Sequence, residues 1–179
     1  MGSADAGDPV TVVQLSEEDW RSYRELRLEM LLDAPDAFWT QHSEVVDCSE
    51  EQWRRMAVRI PCLQARDPDG RPLGTLSVAP RVSPAGEEEP TQQPGDVWVL
   101  AVYVRAEARG SGVGDELLRA AERVAVEQFD GRRLVLHVSE LNEPARTLYA
   151  RHGYHPSGAT IDHPRLAGVK ELELVKHLR

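Results

Sequence analysis

The chain has 179 residues, enough for one domain with a full apolar core. Apolar residues make up 41% and charged residues 28%, near globular averages, and no apolar run is long enough to span a bilayer. The formal charge of −9 argues against a nucleic-acid partner, because such binders carry a basic face.

In chain order, residues 1–9 are small, polar and acidic, which predicts a disordered tail ahead of a single domain over 10–179. Val10 to Leu15 reads as a first strand. Ser16-Glu17-Glu18-Asp19 has the capping-box pattern, and Trp20, Tyr23, Leu26, Met30 and Leu31 follow at helical spacing. That helix should stop near Asp33, ahead of Pro35. A second helix is expected from Ser49 to Val58. Pro61 to Arg66 and Pro72 to Ala79 read as a hairpin around the Asp69-Gly70 turn. Val82 to Gly95, rich in proline, glycine and glutamate, reads as a surface loop.

The second half is more regular. Val97 to Val104 is apolar on both faces, the mark of a central strand covered on each side. A glycine-rich turn, Arg109 to Gly114, precedes a helix from Val113 to Phe129, with Leu117, Leu118, Ala121, Val124 and Ala125 on one stripe. Arg133 to Val138 is a second buried strand. Asn142 caps a short helix that Gly153 ends, and Tyr154 to Thr160 and Gly168 to Lys176 complete the chain as strands. The order β-α-α-β-β-β-α-β-α-β-β predicts an α/β (α+β) fold with a mixed sheet.

Cys48 and Cys62 make no disulfide framework, which suits a reduced, cytoplasmic setting; no signal-peptide pattern opens the chain. His152 and His155 straddle a turn rather than sharing a helical face. No metal site is expected.

The chemistry starts at Arg109-Gly110-Ser111-Gly112-Val113-Gly114. Glycines there let the backbone approach a ligand, and the free N–H groups of the first helical turn suit an anion. A Walker loop would need a lysine after the last glycine. A dinucleotide fingerprint from Gly110 would need glycine where Asp115 stands. Taken alone, the segment is equally a tight strand–helix turn.

Residues Tyr103 to Gly114 resemble the central motif of the GNAT family of N-acetyltransferases, [QR]-x-x-G-x-[GA], with Arg109, Gly112 and Gly114 in its defining positions. Asn142-Glu143-Pro144-Ala145-Arg146-Thr147-Leu148-Tyr149 resembles the family's second motif, N-x-x-A-x-x-L-Y, and Gly153-Tyr154 its ending. The resemblance implies a splayed mixed sheet of six to seven strands flanked by about four helices, with acetyl-CoA entering between two diverging strands. It implies that the backbone of Val102 and Val104 holds the acetyl and pantetheine arm. Arg109, Gly110, Ser111, Gly112, Val113 and Gly114 would hold the pyrophosphate, Asn142 would touch the pantetheine arm, and Tyr149 would protonate the leaving thiolate. Blander roles stand beside these: Asn142 as a helix cap, Tyr149 as packing, Arg109 as a solvated surface charge.

The resemblance further implies a primary amine acceptor, on a small molecule or a peptide. Many members form homodimers. Relatives often carry a basic glutamate on the fourth strand, and none lies between Val97 and Val104. Glu140 is the first candidate base, with His137 and Asp96 behind it and unassisted attack also open. A CoA-binding module without turnover is the competing function. The acceptor groove is expected between residues 33–47 and 161–166. Phe38, Trp39 and Trp53 are candidates for its wall, and Asp33, Asp36, Glu44 and Asp47 for attraction of a cation; core packing of the aromatics and a solvated loop of acids explain them equally well.

Overall fold

The computed structural model describes residues 10–80 and 93–178. The acidic start and most of the loop expected over Val82 to Gly95 lie outside the described residues.

Seven strands form one sheet: β1 (Thr11–Gln14), β2 (Cys62–Arg66), β3 (Pro72–Ala79), β4 (Asp96–Val104), β5 (Arg133–Ser139), β6 (His155–Asp162) and β7 (Lys170–His177). Their spatial order is β1-β2-β3-β4-β5-β7-β6, and every neighbouring pair is antiparallel except β4 and β5. The helices are α1 (Trp20–Asp33), α2 (His42–Val45), α3 (Glu50–Arg59), α4 (Val113–Phe129) and α5 (Glu143–Arg151).

The expected order holds, with two differences. The capping box at Ser16 forms, its backbone N–H donating to Asp19 Oδ2 at 2.9 Å, but it opens a 3-10 turn (Glu17–Asp19) before α1 begins. The short α2 was not anticipated; Gln41 caps it by donating its N–H to Glu44. Helix α3 starts where its serine predicts, with Ser49 Oγ accepting from the Gln52 N–H.

Alternation along the strands divides the core between the two sheet faces. On one face, α4 lays Val113, Leu117, Leu118, Ala121 and Ala125 against Leu63, Leu76, Val97 and Val99, while α5 contributes Tyr149. Each fully buried leucine of that stripe is worth about 2–3 kcal/mol relative to exposure. On the other face, α1 and α3 pack Leu26, Met30, Leu31 and Trp53 against Tyr103. Trp98, Val135 and Val175 form a third, small cluster.

Two buried charges are matched by opposite ones. Asp96 accepts two hydrogen bonds from the Arg133 guanidinium, both at 2.8 Å, at the root of β4 and β5. Arg105, just past β4, is buried and reaches Glu25 at 2.6 Å and Glu29 at 2.8 Å on α1. These ties fix α1 across the end of β4. No described helix is long and apolar enough to cross a membrane.

Candidate active site

Strands β4 and β5 run side by side for only three pairs, Asp96 with Arg133, Val97 with Leu134 and Trp98 with Val135. Beyond Trp98 they separate. The cause is visible in β4: its register with β3 slips between Thr75 and Ser77, and Ala101 takes a left-handed conformation at φ 52°. An alanine there is strained by about 1–2 kcal/mol, and the bulge bends the strand away from its neighbour. Trp98 and the His137 ring meet edge to face, 5.1 Å apart, where the strands part.

The gap holds a cavity of about 320 Å³. Val99 to Val102 of β4 form one wall and Leu136 to Ser139 of β5 the other. Asn142, Ala145 and Tyr149 close it from the α5 side. Arg27, Phe38, Trp39 and Arg59 close it from the side of α1 and α3.

The glycine turn lies past the end of β4. Gly110 and Gly112 have φ of 78° and 91°, values that favour glycine, and Gly112 is the N-cap of α4. Ser111 Oγ donates to the Ala108 carbonyl at 2.7 Å and braces the turn. Among the described residues, no hydrogen bond uses the N–H groups of Gly110, Ser111, Gly112, Val113, Gly114 or Asp115. The first helical carbonyl bond runs from Glu116 N–H to Gly112 O. A turn that presents so many unused donors at a helix N-terminus can accept an anion. Gly114 serves packing as well: a Cβ there would meet Leu148 Cδ2 of α5 at 3.0 Å. The carboxylate of Asp115 turns away, held by Arg151 at 2.7 Å and His152 at 2.7 Å. Burial works to raise its pKa, but these hydrogen bonds prevail and hold it below the usual carboxylate value.

Arg109 is placed differently from expectation. Its Nε donates to the Val104 carbonyl at 3.0 Å and its Nη2 to Asp33 Oδ2 at 2.6 Å. The guanidinium is thus drawn toward α1, and the Val104 carbonyl is already in use. Val102 lines the cavity, whereas Val104 is not among its lining residues.

Asn142 is the helix cap that its position suggests. Its Oδ1 caps α5 by accepting from the Ala145 N–H at 3.2 Å, and the residue lines the cavity. Tyr149 is 5% exposed, lines the cavity and packs on Tyr154 at 5.7 Å between ring centres. Burial pushes its hydroxyl above the ordinary tyrosine range, so it stays protonated.

The candidate bases separate clearly. Glu140 is not brought to the cavity: its Oε1 accepts from the Lys170 N–H at 2.8 Å, so its carboxylate pins the start of β7. Asp96 is spent on Arg133 at the far end of β4. His137 does line the cavity, as does Glu171 of β7, a residue the sequence reading passed over. Ser139 stands opposite Glu171 and His137 opposite Glu173 in the β5–β7 register, so these four side chains share one face.

The acceptor loops also need correction. Trp53 is 1% exposed and belongs to the α1–α3 core, not the cavity. Phe38 and Trp39 do line the cavity. The β6–β7 loop is strapped to them: Arg165 donates to the Phe38 carbonyl at 2.5 Å and to that of Pro35. His163 Nδ1 accepts from the N–H of Leu166 at 3.0 Å, while its Nε2 lies 2.8 Å from the Asp36 carbonyl, which fixes the Nε2–H tautomer. Asp33, Asp36, Glu44 and Asp47 are not among the cavity's lining residues; its charged groups are Arg27, Arg59, Glu171 and, when protonated, His137.

A parted parallel pair beside a glycine-rich helix turn is the arrangement of a class of acyl-group transferases. The sequence profile described as the acetyltransferase (GNAT) family matches residues 13–154, and the chain belongs to that family. A Bacillus subtilis (strain 168) protein with the provisional name ribosomal protein bS18-alanine N-acetyltransferase is 36% identical over 63 residues. That stretch covers 35% of this chain and 41% of the relative's length. Among solved structures, a GCN5-related N-acetyltransferase from Kribbella flavida superposes with a TM-score of 0.71 at 21% identity, covering 94% of this chain and 98% of that one. A provisionally named acetyltransferase from Salmonella typhimurium, solved with acetyl-CoA, gives 0.70 at 16% identity over 96% and 95% of the two chains. At such identities these two structures share the fold.

Proposed function

We propose that this chain transfers the acetyl group of acetyl-CoA to a primary amine by direct attack, with both substrates bound together in the gap between β4 and β5. The observation that carries the reading is the pairing of that gap with the row of unused N–H donors from Gly110 to Asp115. A diphosphate fits such a row by charge and hydrogen bonding, and the adjoining gap suits the slender arm behind it.

The cofactor supplies an activated thioester carbonyl. The chain supplies the rest. The edge of β4 that leaves β5 after Trp98 offers backbone donors toward the gap, and such donors stabilise an oxyanion that develops during attack. Tyr149, protonated and lining the cavity, donates to the sulfur as it departs. Glu171, reached from the opposite sheet face, takes the proton that the amine must shed; His137 lies on the same face beside it. Asn142 orients the arm from the N-terminus of α5. The contrary reading, a CoA-binding module without turnover, rested on the lack of a carboxylate on β4. Glu171 supplies one from β7.

The Bacillus subtilis relative's name supports a protein N-terminus as one acceptor to test, and a small-molecule amine is the other. The test is thiol release from acetyl-CoA by the purified protein with amines, amino acids and peptide N-termini. Amine-dependent release is expected. Acetyl-CoA binding with no release across the panel would favour the module.

A further inference from the structure

The cavity carries more positive charge than acetyl transfer to a simple amine requires. Arg27 of α1 and Arg59 at the end of α3 both line it. Most other arginines near the site are matched: Arg105 with Glu25 and Glu29, Arg109 with Asp33, Arg165 with Asp36. Arg27 and Arg59 are not. Among the described residues, Arg27 has only a 3.9 Å contact from Nη1 to the Met30 sulfur, and Arg59 has no hydrogen bond or ion pair. Both charges act on one group, the Tyr23 hydroxyl: burial pushes its pKa up, and Arg27 and Arg59 each pull it down. In a chain with 30 acidic and 21 basic residues, leaving two arginines unmatched at the reaction cavity is against the trend of the surface.

Arg27, half-withdrawn from water in the cavity it shares with Phe38 and Ala101, is costly there unless an anion meets it; Arg59, exposed to solvent, adds a second planar fork, and such forks match an oxyacid with two parallel hydrogen bonds. Among the described residues, Glu171 is the one carboxylate that lines the same cavity; its Oε1 lies 3.7 Å from His163 Nε2, and no ion pair links it to either arginine. Two cationic forks and one separate carboxylate form the complement of a molecule with an acid group at one end and an ammonium at the other. A cavity of about 320 Å³ accepts such a molecule only if it is small.

We propose that Arg27 and Arg59 receive the acid group of the acceptor while Glu171 faces its amine, so that the acceptor is a small amine bearing a carboxylate, of the amino-acid class. This rests on the cavity being the acetyl-transfer site. It narrows the substrate to one that a peptide N-terminus, with an amide in place of that carboxylate, does not satisfy.

The experiment compares free amino acids with their carboxamides as acceptors, reading thiol release, in wild type and in Arg27→Gln and Arg59→Gln. In wild type, the favoured acids should exceed their amides in kcat/KM by about tenfold or more, the scale of a bidentate charged hydrogen bond. Each variant should shrink that ratio toward one. Thermal melting and acetyl-CoA calorimetry on the same preparations show that the variants are folded and bind the cofactor. Amides consumed as fast as acids by wild type, or a ratio untouched in both variants, would overturn the inference and leave the acetyltransferase reading standing. Variants that lose acetyl-CoA affinity with no change in the acid-to-amide ratio would reassign the arginines to the cofactor and also overturn it. Wild type that binds no acetyl-CoA would sink the underlying reading of the cavity itself.

Discussion

Replacing Tyr149 with phenylalanine separates chemistry from packing. The Tyr149 hydroxyl makes no hydrogen bond to another described residue, so its removal strands no partner. It is also not sealed away. The hydroxyl of its neighbour Tyr154 is fully buried without a partner, whereas that of Tyr149 keeps access to the cavity. The ring, which packs on Tyr154 at 5.7 Å, is retained in the variant. Stability should therefore change by less than about 1 kcal/mol. Turnover should not escape so lightly. A positioned proton donor contributes roughly 10²–10⁴ in rate, or about 3–5 kcal/mol of barrier. Burial keeps the donor protonated, so the loss should appear across the whole neutral range rather than at one pH. Single-turnover thiol release measures the chemical step, calorimetry the acetyl-CoA affinity, and thermal melting the fold. A variant that melts normally, binds acetyl-CoA normally and transfers within about twofold of wild type would remove Tyr149 from the mechanism.

Glu171→Gln should lower kcat/KM for the amine by about 10²-fold near neutral pH. The deficit should narrow as pH rises toward the amine's own pKa of ~10, where free base is supplied by solution; a deficit independent of pH would argue against a base role. Gly112→Glu places a carboxylate on the anion turn. No atom lies within 4 Å of the added Cβ, so the fold should survive, strained by about 1–2 kcal/mol at φ 91°, while acetyl-CoA affinity collapses in calorimetry. Asp96→Ala should destabilise by about 3–5 kcal/mol in denaturant melts, because it breaks a buried pair with Arg133. Asp115→Asn bears on pH. The folded pKa of Asp115 is depressed, so its stabilisation is present above the unfolded value and is lost as pH falls through the folded one. The variant should be about 1 kcal/mol less stable at neutral pH and approach wild type as acid protonates Asp115; a gap constant with pH would contradict the assignment.

Much of the framework was legible because single physical signals dominate it. Val97 to Val104, apolar on both faces, had to be central, and the stripe of α4 has one period. The spacing of Gly110, Gly112 and Gly114 marks the strand–helix turn, where Gly110 and Gly112 take positive φ. What escaped was set by tertiary packing. Nothing in Val99-Leu100-Ala101-Val102 marks the alanine whose left-handed turn parts the strands. Glu140 follows β5 and reads as a plausible base, yet the loop turns it onto the Lys170 N–H. The motif points Arg109 toward phosphate, yet Asp33, distant in sequence, draws it to α1. Glu171 left a signal that went unused: in Glu171-Leu172-Glu173-Leu174-Val175 two acids alternate with two leucines, which sets both carboxylates on one face of a strand that pairs on both sides. Trp53 illustrates the opposite lesson, since an aromatic at helical spacing proved to be core.

A crystal structure of the protein with acetyl-CoA is the most direct measurement. The diphosphate should lie within hydrogen-bond reach of the backbone N–H groups between Gly110 and Asp115, with the thioester beside Val102 and Tyr149 where β4 and β5 part. A cofactor bound elsewhere on the molecule, or a diphosphate held by side chains with those main-chain donors still unused, would contradict the account.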